Sequence, residues 1–166
     1  MAAKKRNSQV PRQESQSASL DLEAHAKSIR EGLNVPKQSE VFRASVEAGY
    51  LAALADGEVD DDERSALVQA IDLLSEGAVI EWETEALLDE CAERAEAQGA
   101  QARADAVGKE LADLGQAPAG LYVAAVIARA SKGMDKLEAE VIKSVGLAAG
   151  LAPDAIKDIL KKATTL

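Results

Sequence analysis

Ala55-Asp56-Gly57-Glu58-Val59-Asp60-Asp61-Asp62-Glu63 interrupts two apolar series. Upstream, Phe42, Val46, Tyr50 and Leu54 recur every four residues; downstream, Leu67, Ile71 and Leu74 do much the same. That spacing puts each set on one side of an α-helix. The acidic stretch therefore reads as a short connection between two helices, the first ending near Asp56 and the second before Gly77. Six of the eight residues from Asp56 to Glu63 are carboxylates, with no basic side chain before Arg64.

The same pattern continues to the C-terminus. A helix from about Glu81 to near Gly99 carries Leu87, Leu88, Cys91, Ala92 and Ala95 inward, and an alanine-rich helix occupies roughly 100–114. Pro118 opens a helix in which Leu121, Val123, Val126 and Ile127 are apolar nearly all round, so it is expected to be central. Leu137, Val141, Val145 and Ala148 form the next stripe. Pro153 suits the first position of a last helix burying Ile156, Ile159, Leu160 and Ala163.

Only four side chains are aromatic, Phe42, Tyr50, Trp82 and Tyr122. Strands favour aromatic and β-branched residues, whereas alanine and leucine favour close-packed helices. The expected fold is all-α: a compact bundle of about seven helices over residues 37–166. Residues 1–18, rich in Ser, Gln and charge, read as a disordered basic and polar tail. Residues 19–36 read as a loosely attached accessory helix, starting at Ser19 or Asp21, and a linker containing Pro36.

The net charge is −10; Lys4, Lys5, Arg6 and Arg12 give the first twelve residues +4, which leaves −14 on the rest. An acidic body repels phosphate backbones and argues against nucleic-acid binding. The basic tip is either a solvated terminus or a contact for an acidic partner or membrane surface. The longest uncharged stretch, Gly115–Ala128, is 14 residues, too short to span a bilayer. No apolar segment follows the basic tip as a signal peptide requires. A lone Cys91 within an apolar series fits a buried thiol in a reducing cytosol, so a cytoplasmic location is expected. With His25 the only histidine, Ser-His and Cys-His catalysis lack their parts, as do histidine metal sites. No enzymatic activity is expected.

A shift of 75 residues superimposes the acidic stretch on Ala130-Ser131-Lys132-Gly133-Met134-Asp135-Lys136-Leu137-Glu138. The flanks agree in character: Leu51 meets Val126, Leu67 meets Ile142, and Ala70 meets Val145. The bundle is thus expected to contain two degenerate helix-turn-helix repeats. Asp60 and Glu63 recur as Asp135 and Glu138, and an Asp followed three residues on by Glu at a helix start is a capping box. Asp56 and Glu58 become Ser131 and Gly133, so a cap does not account for them.

Carboxylates alone select a hard divalent cation, Ca²⁺, Mg²⁺ or Mn²⁺, over zinc. Asp56, Glu58 and Asp60 alternate like the opening of an EF-hand loop. Asp61 stands where that loop needs glycine, however, and Leu67 where it needs glutamate, so an EF-hand is excluded. The stretch is either a small hydrated cation site or a plain solvated acidic turn.

A helix ending in A-D-G-E, an acidic turn, then E-R-x-x-L opening a second helix resembles the TerB-like family, linked to tellurite resistance and to phage and stress responses in bacteria. The likeness covers about residues 40–166. It rests on Tyr50–Ile71, the echo at Val126–Val145 and the closing Gly150–Leu160 segment. It implies an all-helical fold of about seven helices built from two similar halves, no established catalytic activity, and a divalent-cation or partner site at Asp56, Glu58, Asp60 and Glu63. The second-half replacements Ser131, Lys132 and Gly133 leave a two-loop site without its ligands. The alternative is a metal-independent interaction module that docks a protein partner through the acidic face of residues 76–96, where eight acids face one arginine, or through the basic tail.

Overall fold

A computed structural model describes residues 12–32, 39–75, 81–130 and 133–165. Among them are eight α-helices and no strand: α1 (Arg12–Gly32), α2 (Ser39–Ala53), α3 (Asp61–Ser75), α4 (Glu81–Gln98), α5 (Ala100–Asp113), α6 (Ala117–Arg129), α7 (Lys136–Ala148) and α8 (Pro153–Thr164). One turn of 3₁₀-helix, Leu54–Asp56, continues α2 toward the acidic connection. Glycine ends the run where the chain must reverse: Gly57 adopts φ 104° and its N–H closes on the Leu54 carbonyl at 2.8 Å. Pro153 is the first residue of α8, where its missing N–H costs nothing.

The core lies between α2 and α6, which make the most extensive helix–helix contact. Along α6, Ala117 and Gly120–Ala128 are all buried, as its all-round apolar pattern demands. The two halves are built alike. Helices α2 and α3 correspond to α6 and α7 at the 75-residue shift, and α3 and α7 begin at equivalent residues, Asp61 and Lys136. At the α2–α6 crossing, a Cβ on Gly49 would stand 3.2 Å from the carbonyl of Ala124, its own counterpart.

Three expectations need correction. Helix α1 starts at Arg12, so residues 12–18 belong to its first turns; residues 1–11 and 33–38 lie outside the described set. Nor is α1 a loose accessory. Ala26 and Ile29 are fully buried in the main core, His25 is buried beside them, and the Arg30 guanidinium donates to the Leu73 carbonyl at 2.8 Å. On α7 the buried stripe is Glu138, Ile142, Val145 and Gly146, one position round from the expected one. Leu137 is consequently 55% exposed, because the cap at Asp135 fixes the helix rotation and turns Glu138, not Leu137, inward.

Candidate functional site

Both acidic turns are closed by capping boxes of matching geometry. The Glu63 N–H donates to Asp60 Oδ1 at 2.8 Å, and the Asp60 N–H to Glu63 Oε2 at 3.0 Å. In the second turn the Glu138 N–H reaches Asp135 Oδ1 at 2.8 Å, and the Asp135 N–H reaches Glu138 Oε2 at 3.0 Å. Each box satisfies two backbone donors that the helix start leaves without partners. Replacing Asp60 or Asp135 by Ala is expected to cost about 1 kcal/mol each, nearly equally, in urea-unfolding midpoints. A cost in one and none in the other would break the equivalence of the turns.

The caps divide the four candidate ligands. Glu63 is buried and points back to its own helix start, as Glu138 does in the echo. Asp56, Glu58 and Asp60 are exposed. Asp56 Oδ1 accepts the Glu58 N–H at 3.3 Å, which stiffens the turn without using the Glu58 carboxylate. The second turn lacks a counterpart for a backbone reason. Gly133, at the position equivalent to Glu58, has φ 79°, a conformation that side-chain-bearing residues rarely adopt; in the first turn the left-handed residue is one place earlier, at Gly57. Ser131 and Lys132 lie outside the described residues.

Tertiary packing brings the two turns together, since the 3₁₀ turn Leu54–Asp56 lies against α7. Burial raises the Glu138 carboxyl above its ordinary value, and the like charges of Asp135, Glu63 and Asp56 add to that, against the hydrogen bond from the Asp135 N–H. Acids from both halves thus share one electrostatic environment. They do not make a ready coordination shell. Among the described residues no three His, Cys, Asp or Glu side chains are placed to hold a metal ion. One oxygen each of Asp60 and Glu63 is already committed to capping.

Part of the acidic face of α4 is paired with arginines. Arg64 of α3 contacts Glu85 at 2.6 Å and Asp89 at 2.8 Å, and Arg43 of α2 contacts Glu90 at 2.9 Å. The expected docking face over residues 76–96 is therefore partly neutralised within the fold; residues 76–80 lie outside the described set.

Two polar clusters escaped the sequence reading. Glu47, 2% exposed in the middle of α2, receives a fork from Arg103 of α5: Nε to Oε1 at 2.7 Å and Nη2 to Oε2 at 3.0 Å. Arg94 of α4 adds a longer contact at 3.3 Å. The available signal was its isolation, for Glu47 is the only charged residue between Arg43 and Asp56. The second cluster joins His25 Nδ1 to the Tyr122 hydroxyl at 2.7 Å and His25 Nε2 to Arg129 Nη1 at 3.3 Å. No local spacing connects residues 97 positions apart. Cys91 is a core thiol: burial first, then the nearby Glu47 charge, pushes it up to about 12, far from the thiolate that a nucleophile needs.

Comparison with family models, with curated proteins and with solved structures yields no match to this chain. Among the described residues no helix is long and apolar enough to cross a membrane.

Proposed function

We propose that this chain is a non-enzymatic binding module whose working surface is the acidic turn, with Asp56 and Glu58 as the ligand-facing groups. The observation that carries this reading is the contrast between two otherwise equal turns. Both have the same cap, and only the first presents exposed carboxylates that the cap does not require. The ligand class is a divalent cation, Ca²⁺, Mg²⁺ or Mn²⁺. Two exposed carboxylates without a third converging ligand would hold such an ion largely through its water, so the affinity belongs in the weak range of roughly 10⁻⁴–10⁻³ M. The like charges gathered around Glu138 add an electrostatic attraction for any cation. The resemblance of Tyr50–Ile71 to TerB-like stress proteins is in accord with this reading, and a tellurite-resistance or stress role in a bacterial cytoplasm is the biological context it suggests.

A second reading replaces the ion by a basic protein partner docked on the same turn. A basic side chain docked there would pair with the exposed Asp56 and Glu58 directly and needs no ring of converging ligands. Calorimetric titration of chelator-stripped protein with each ion separates the two. Saturable heat lost in the Asp56→Asn/Glu58→Gln variant supports the cation. No saturable heat with any of the three ions removes it and leaves the docking surface.

A further inference from the structure

Among the described residues, two large apolar side chains stand exposed, Leu137 at 55% and Leu147 at 49%. Both belong to α7, about 15 Å apart along its axis. With Glu140 and Ser144 between them they follow the alternating three- and four-residue spacing of a seam that a second helix can cover. Leu151, half-buried just past the helix end, is next in that series. The other side of α7 is already used, since Glu138, Ile142, Val145 and Gly146 are buried in the bundle. A single leucine on a surface needs no explanation, but two on one seam of a short helix do.

The polar residues of the seam indicate what covers it. Its spacing is symmetric about position 142, so two α7 helices laid antiparallel set position 137 against 147 and position 140 against 144. In that register each leucine meets a leucine of the second copy. The Glu140 carboxylate meets the second copy's Ser144 hydroxyl, a donor, with the second copy's Lys143 one residue along; Glu140 and Lys143 are both exposed. Lys136, at the start of α7, comes beside the carboxyl end of the second copy's helix, where the dipole favours a cation. A parallel pairing would oppose Glu140 to Glu140 and Lys143 to Lys143. The charges of the helix thus select one orientation.

We infer that the exposed face of α7 is a self-pairing surface, on which two copies of this chain join antiparallel about a two-fold axis level with Ile142. Leu137 and Leu147 supply the apolar contact, and Glu140 with Lys143 fixes the register. A seam about 20 Å long buries less than the ~1,200–2,000 Å² of a standard interface, so the dimer is weak, with a Kd of roughly 10–100 µM.

Sedimentation equilibrium of the full chain from about 5 µM to about 1 mM brackets that Kd. The weight-average mass should rise over this range from 17.4 kDa toward twice that value. Leu137→Ser combined with Leu147→Ser should raise the Kd at least about thirtyfold. Both sites are exposed, so the thermal midpoint at low concentration should hold. The charges give the sharper readout. Glu140→Lys and Lys143→Glu should each weaken self-association about tenfold, because like charges then meet twice in every dimer. Mixed together, the two variants should pair with near wild-type strength, since each contact again joins opposite charges. A monomer at every concentration overturns the proposal and leaves the face to a different partner. A dimer untouched by the leucine changes overturns it equally, as do two charge variants that fail to combine.

Discussion

Gly108→Ala is expected to destabilise the protein by about 2–3 kcal/mol, although alanine is the better helix former. In an unobstructed helix the exchange would gain close to 1 kcal/mol. Gly108 instead sits where α5 crosses α7. A β-carbon there would stand 2.5 Å from the Val145 carbonyl oxygen, 2.6 Å from the Ala148 β-carbon and 3.0 Å from the Ala149 nitrogen. Two of these three are backbone atoms at the end of α7, so no side-chain rotation relieves the overlap. The helices must separate, and overpacking of this kind costs about 1–3 kcal/mol or more beyond the lost propensity gain. For a chain of this length a net 2–3 kcal/mol lowers the thermal midpoint by about 5–10 °C, measurable by calorimetry. Gly32→Ala serves as the control, because nothing lies within 4 Å of a β-carbon there. An unchanged midpoint for Gly108→Ala would mean that α5 and α7 do not approach as described.

The other large effect is expected at Glu47. Its carboxylate is buried and held by the Arg103 fork, whose own side chain is only 14% exposed. Glu47→Ala strips that guanidinium of its carboxylate partner and leaves it the Gln98 Oε1 contact at 3.2 Å, a loss of about 3–5 kcal/mol. Arg94→Ala should matter far less, under about 1 kcal/mol, since Arg94 is 41% exposed and its contact is longer. The sign of the pair's net contribution is a separate question. Replacing both partners, Glu47→Leu with Arg103→Met, removes two desolvation penalties along with the attraction, and should recover most of the single-mutant loss. A double-mutant cycle in urea gives the coupling directly. If Glu47→Ala and the double variant are equally destabilised, the fork is not what stabilises this junction.

The helices were legible because their evidence is local. Apolar residues at spacings of three and four, Pro118 and Pro153 near helix starts, and glycine at 57, 99 and 115 report on neighbours along one chain segment. Both capping boxes could be read for the same reason: donor and acceptor lie three residues apart. Helix rotation was less legible. Leu137 looks like a core residue by composition, yet the cap beside it fixes which side of α7 faces inward. The accessory standing given to α1 failed similarly, since Ala26 and Ile29 form a stripe too short to announce burial until a groove is there to receive it.

At the candidate site, the amino-acid order alone separates Asp60 and Glu63, needed by the cap, from Asp56 and Glu58, which are not. That separation rests on a repeat and on hydrogen bonds within four residues, both properties of contiguous chain. Packing settled what lies across the molecule: the approach of the two turns that crowds acids around Glu138, the Arg103–Glu47 fork and the His25–Tyr122–Arg129 junction. Such contacts join residues 56 to 104 positions apart, and they exist only once the other helices have packed around the α2–α6 core.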